Sequence, residues 1–305
     1  MRVGIDSYSY HRLLGEVRPG ERAFGGAIAV TKELIGEMIA AGAEILSLET
    51  VFLDPPERLD AGALLAAAGD RELALAWGHP LGLEWGAQPA RLDELRAWIE
   101  MASALGARIV RCVAAGPALR DASAQPRFVS TVRALRRAAA HARAHGVTLM
   151  LENHGDVDAN ELCELLDAVP GLRVCLDTAN ALRVGDDPVA LARRVADRVA
   201  MVHLKDVAAP AAGLDPLVGP TSVAYGAGVV DLDGVLAALP ADPALPVCVE
   251  LGHLGGGDVD ERALVRQGVA WLAGRRATRA ARAASVPPAR TPGPHDTHPG
   301  SPLTA

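Results

Sequence analysis

The feature that most constrains this chain is an alternation: short β-branched apolar runs give way to longer Ala/Leu-rich stretches, and the exchange repeats about eight times. That pattern predicts parallel strands joined by helical crossovers. Strands are expected at 3–6, 44–49, 73–77, 107–113, 147–152, 172–177, 199–204 and 246–251. Helices are expected at 31–41, 56–68, 91–105, 127–145, 160–168, 188–196, 232–239 and 261–273. Gly42, Gly106 and Gly146 stand just past three of these helices, where a left-handed residue ends the turn. Asp231 precedes another as an N-cap. Eight such units fit a (β/α)₈ barrel, whose usual size is about 250 residues, with a doubly wound open sheet as the alternative. The later strands each end in an acid or a histidine, and a barrel gathers such strand ends at one mouth.

Charge sets the outer bounds. From Arg275 onward the chain has five Arg and one Asp, so taking that +4 from the formal −7 leaves −11 on residues 1–274. So acidic a body repels polyphosphate and argues against a nucleic-acid partner. Residues 275–305 are built mainly from Ala, Arg, Pro, Thr, Gly and His, without a strand or helix period, and are expected to be a disordered tail beyond a single domain at 1–274. Asp6 interrupts the opening residues where a secretory leader would be apolar, and no run reaches the roughly 20 uncharged residues of a membrane span. A cytoplasmic location and no membrane partner are expected. Cys112, Cys163, Cys175 and Cys248 form no C-x-x-C pair and read as reduced core thiols.

Four consecutive strand candidates end alike, in Glu152, Asp177, His203 and Glu250. Acids at strand ends also cap helices. Three carboxylates converging without a cation, however, would repel one another and each would lose hydration, whereas a divalent ion compensates the charge. Four matches in succession on one barrel mouth therefore favour a metal site. Three acids and one imidazole make a hard, oxygen-rich donor set suited to Mn²⁺, with Mg²⁺ or Co²⁺ as alternatives.

Taken in order, Glu152-Asn153-His154-Gly155, Asp177-Thr178-Ala179-Asn180, His203-Leu204-Lys205-Asp206, Gly226 to Asp231 and Val249-Glu250-Leu251-Gly252 resemble the xylose-isomerase-like superfamily of sugar phosphate isomerases and epimerases. The resemblance implies that Glu152, Asp177, His203 and Glu250 hold one divalent ion and that Glu152 and Glu250 are an acid/base pair. It further implies a keto-sugar or sugar-acid substrate handled through an enediolate, by isomerisation or epimerisation. Dehydration of an inosose type and decarboxylation of a 3-oxo sugar acid are lyase alternatives in the same superfamily. Its apurinic endonucleases add histidines for further zinc ions, but Asn180 and Arg111 stand where those would be expected. The ketose 3-epimerase branch implies an acid, a His and an Arg at positions where this chain has Asp158, Asn180 and Ala209. Homo-oligomers are common in such families, though no residue here marks an interface.

Other residues point toward the same mouth. His154 and Lys205 lie two positions beyond Glu152 and His203, on the interior side if the strands continue. Lys205 suits a substrate anion or an enediolate, with a surface pair to Asp206 as the alternative. Glu49 closes strand two and His79 follows strand three, and both suit hydroxyl contacts, although a His beside Pro80 also serves as a loop hydrogen-bonder. Arg111, inside an apolar run, requires an anionic partner. Seven aromatic residues, Tyr8, Tyr10, Phe24, Phe52, Trp77, Trp85 and Tyr225, fall near strand exits and are expected at the barrel mouth.

Overall fold

A computed structural model describes residues 1–19, 21, 30–120, 124–209 and 219–285. Eight parallel strands close on themselves in sequence order: β1 Arg2–Asp6, β2 Ile45–Glu49, β3 Glu72–Ala76, β4 Ile109–Cys112, β5 Thr148–Glu152, β6 Arg173–Asp177, β7 Val199–Leu204 and β8 Pro246–Val249. β8 returns to β1, with Cys248 opposite Gly4. Closure excludes the open sheet. A Cβ at Gly4 would stand 2.5 Å from the Cys248 sulfur, so this seam needs glycine.

Outside the strands lie α1 Ile35–Ala40, α2 Ala61–Ala68, α3 Pro89–Ala104, α4 Ala124–Ala144, α5 Ala159–Ala168, α6 Pro188–Val195, α7 Leu232–Ala238 and α8 Glu261–Ser285. A π-helical turn, Val30–Leu34, leads into α1. The helix expected from residue 56 starts only at Ala61, because Asp60 accepts the Ala63 N–H and sets the N-cap there. α8 passes the boundary expected at 274. Ala and Arg are strong helix formers, and Arg275 pairs with Asp233 and lies 4.0 Å over the Trp271 ring, while Arg276 reaches Glu44 at 2.7 Å. The remainder of the expected tail, 286–305, lies outside the described residues. None of the described helices is long and apolar enough to cross a membrane.

Two layers of side chains fill the barrel, as strand alternation requires. The lower layer is Ile45, Ala74, Met150, Cys175, Met201 and Cys248, all buried. Two residues further along four of the same strands come Glu152, Asp177, His203 and Glu250, and four residues beyond Ile45 comes Glu49, so the apolar plug beneath and the polar constellation above are set by one periodicity. A register shift between β6 and β7 at Val174/Cys175 ends with Asp177 directly opposite His203. The strands' outer faces pack with the helices into a second, much larger apolar core.

Candidate metal centre and substrate pocket

Glu152, Asp177, His203 and Glu250 are all buried, and each presents one ligand atom within 4.8 Å of the other three. His203 Nδ1 lies 2.5 Å from Glu250 Oε2 and 3.9 Å from Glu152 Oε2. Glu152 Oε2, His203 Nδ1 and Glu250 Oε2 nevertheless make no hydrogen bond of ordinary geometry. Buried polar atoms are nearly always satisfied, so unsatisfied lone pairs facing one point are what a bound cation would complete. The donor set fits a hard divalent ion.

Cationic side chains hold the acids in place. Arg111 on β4 lies between Glu49 and Glu152, 2.9 Å from Glu152 Oε2 and in close contact with Glu49. Lys205, just past β7, reaches Asp177 Oδ2 at 2.7 Å and Glu250 Oε1 at 3.0 Å, not Asp206. Asp206 instead accepts the N–H groups of Gly226 and Gly228 and fixes the loop before α7. A Cβ at Gly78 would meet the Glu49 carboxylate at 2.3 Å, so glycine there makes room for the Glu49–Arg111 pair.

These contacts separate the two glutamates. Burial pushes the Glu152 carboxyl up to about 7, against the pull of Arg111 and His203. Burial also acts on Glu250, but Lys205 and His203 overcome it and hold its carboxyl well below the usual range. His203 is raised despite burial because Cys175 and Glu250 lie beside it; of the two, we assign the effect to Glu250, since burial pushes the Cys175 thiol itself up to about 11 and keeps it neutral.

Above the acids opens a cavity of about 300 Å³. Glu49, His79, Arg111, Glu152, His154, Lys205 and Glu250 line it, whereas Asp177 and His203 sit beneath its floor, fully buried. The nine charged and histidine residues assigned from the sequence to metal, acid/base or substrate contacts therefore gather at one place. His79 stacks on Trp77 at 5.8 Å between ring centroids and accepts the Leu81 N–H, so it also has the loop role open to it. His154 leaves its Nδ1 shielded and without a hydrogen bond; burial, with Arg183, Arg111 and Lys205 nearby, holds its pKa well below the ordinary value.

The aromatic expectation is corrected. Of the seven rings only Tyr8 lines this cavity among the described residues, with Phe52 stacked against it at 6.0 Å. Tyr10 and Trp77 are sunk in the core, and Trp85 donates to the Leu119 carbonyl. Tyr225 uses its hydroxyl to tie Leu204 O and Glu250 O together across β7 and β8. Phe24 lies outside the described residues. Bulky rings are needed to fill the layer between strands and helices, and that requirement consumes most of them.

Several contributors were not read from the sequence. Asp6 closes β1 and stands 3.6 Å from His203 Nε2, on the side of the imidazole away from the acids, while accepting from Ser47 Oγ at 2.5 Å and Tyr8 N at 2.8 Å. Its signal was present, since β1 ends in an acid exactly as the later strands do. Asn153 clamps Asp177 by accepting its N–H and donating to its carbonyl, and Asn180 Nδ2 donates to Glu152 Oε1 at 3.1 Å. Asp158 stays out of the site because it forms a capping box with Glu161 at the start of α5. Arg18, Arg183 and His253 complete the cavity wall.

Residues 37–275 match the family described as xylose isomerase-like TIM barrel. Over 203 residues the chain is 34% identical to a 2-epi-5-epi-valiolone 7-phosphate 2-epimerase of Actinoplanes sp., spanning 64% of this chain and 69% of that one. A 3-oxo-isoapionate decarboxylase of Pectobacterium atrosepticum is 27% identical over 128 residues, which is 41% of this chain and 45% of the decarboxylase. The chain thus spans about half the length of that relative. The structure of an L-ribulose 3-epimerase superposes with a TM-score of 0.66 at 17% identity, covering 95% of this chain and 99% of the other, a likeness of fold.

Proposed function

The chain belongs to the xylose isomerase-like TIM barrel family, and from that premise we propose that it is a divalent-metal-dependent isomerase or epimerase of a keto-sugar or sugar-acid derivative. The observation that carries this reading is the convergence of the Glu152, Asp177, His203 and Glu250 ligand atoms on one unsatisfied point at the barrel mouth. Those four residues would hold Mn²⁺, with Mg²⁺ or Co²⁺ as alternatives. The ion, when bound, supplies Lewis acidity to a carbonyl and its neighbouring hydroxyl and so acidifies the intervening C–H.

Glu152 is the residue we assign to that proton. Arg111 and Asn180 fix the orientation of its carboxyl at the floor of the cavity. Removal of the C–H proton places its electron pair in an enediolate, whose negative charge Lys205 stands ready to stabilise. Glu250 takes a proton from solvent and returns it to carbon, on the opposite face for epimerisation or to the adjacent carbon for isomerisation. Glu49, His79, Arg111 and His154 are assigned to the substrate's hydroxyl and anionic groups. The 34% identity over 203 residues to a 2-epi-5-epi-valiolone 7-phosphate 2-epimerase supports this chemistry.

A lyase is the second reading, favoured by the decarboxylase relative, since loss of CO₂ from a 3-oxo acid reaches the same enediolate. The test is solvent deuterium incorporation into a panel of keto-sugars and 3-oxo sugar acids with Mn²⁺ present. Exchange at carbon, lost in Glu152→Gln, supports the proposal. Exchange with CO₂ release identifies the lyase, and no exchange with any substrate under metal saturation contradicts both.

A further inference from the structure

We propose that Glu100, His141 and His145 form a second metal site, on the outer helices between α3 and α4, for a borderline transition ion of the Zn²⁺, Ni²⁺ or Cu²⁺ class. His141 lies in the last turn of α4 and His145 one residue past its end, four positions on, where the His145 N–H still donates to the His141 carbonyl at 3.3 Å and keeps the two side chains on one face. Their ring centroids are 4.4 Å apart. Glu100 on α3 reaches across, with Oε1 at 3.0 Å from His141 Nε2. One donor atom from each of the three lies within 4.8 Å of the others.

The imidazoles are arranged as ligands. His145 turns Nδ1 to the His141 carbonyl oxygen at 3.0 Å, which places the ring proton there and leaves Nε2 with its lone pair for an ion. His141 Nε2 is shielded from solvent yet makes no hydrogen bond of ordinary geometry, despite the Glu100 carboxylate beside it. Two imidazoles and one carboxylate form a softer set than the three acids and one imidazole in the barrel, and three protein ligands leave a coordination position open to water. Ser103 Oγ donates to the His145 carbonyl at 2.8 Å, so the end of α3 is already fastened to the end of α4 and the site bridges two helices held at fixed spacing. An ion there would staple the helices on either side of β4.

Zn²⁺ itself is the probe. Equilibrium dialysis of the metal-stripped full chain is compared with His203→Ala and with the double variant His141→Ala/His145→Ala. The proposal expects the double variant to bind one equivalent fewer than the parent chain, and His203→Ala to retain that equivalent. Each tenfold of free Zn²⁺ above the dissociation constant should raise the parent's melting temperature by about 3–6 °C, a rise the double variant loses. Equal stoichiometry in parent and double variant overturns the site. Should the double variant melt abnormally in EDTA, Glu100→Gln decides, since Glu100 is largely exposed. Weakening of Zn²⁺ binding by tenfold or more supports the site, and unchanged binding overturns it. Neither result bears on the barrel chemistry, whose readout is deuterium exchange.

Discussion

Binding of a divalent ion at the barrel mouth should be strongly coupled to pH. In the metal-free chain the Glu152 carboxyl sits at about 7, and His203, held beside Glu250, stays protonated well above the usual imidazole range. An ion needs both groups deprotonated, so its binding expels the protons they carry. From pH 6 to pH 8 the deprotonated fraction of Glu152 rises about tenfold, and loss of the raised His203 proton adds to the effect in the same direction. Mn²⁺ affinity should therefore increase at least about tenfold across that interval, equivalent to about 1.4 kcal/mol or more of added stabilisation at fixed free metal. Half of the Glu152 sites carry a proton at pH 7, so binding there should release about 0.5 proton per ion from Glu152, with the proton held by His203 in addition. Isothermal titration calorimetry in two buffers of different ionisation enthalpy measures both quantities. Affinity that is flat from pH 6 to 8, with no proton release, would refute the reasoning, because it would mean that the ion does not meet Glu152 and His203.

Three further outcomes follow from the same contacts. Arg111→Met leaves Glu49 and Glu152 buried without their cation, a loss of about 3–5 kcal/mol that should lower the melting temperature in EDTA by about 6–20 °C; a fall under 2 °C would show that the pair is not closed in solution. Asp6→Asn removes the negative charge behind the His203 ring, and Mn²⁺ affinity should drop about 10–100-fold with far-ultraviolet dichroism unchanged, as read by calorimetry. Burial pushes the Asp156 carboxyl up to about 6 against the backbone N–H groups of Ala115, His154 and Val157, so the folded chain binds this proton more tightly than the unfolded chain. Its contribution to stability in EDTA should accordingly fall by about 2 kcal/mol as pH rises from 4 to 6, and Asp156→Asn should show a shallower decline than the parent in urea titrations at each pH.

Much of the architecture was legible because two periodicities carry it. The alternation of strand-like and helix-like segments specified the barrel, and the period of two within each strand placed Met150 below Glu152 and Cys175 below Asp177. Strand ends were legible for the same reason, since polar residues closing apolar runs must share one rim. Partnerships across the barrel were not. That Lys205 would pair with Asp177 and Glu250, and that Arg111 would join Glu49 to Glu152, depends on the order in which strands close, which no local pattern encodes. Asp6 was overlooked although it obeyed the rule applied to its neighbours, because β1 meets β7's histidine only after the barrel has turned back on itself. Helix limits moved where a side-chain cap set the start, at Asp60, and where ion pairs of Arg275 and Arg276 reinforced the helix propensity of an Ala/Arg run.

The most direct test of the central claim is a count of bound Mn²⁺ per chain, by electron paramagnetic resonance at pH 8, in the parent protein and in His203→Ala and Glu152→Ala. The account predicts one tightly held equivalent in the parent and its loss in both variants, with the variants still folded. Parent protein that binds no Mn²⁺, or variants that keep the equivalent, would contradict it.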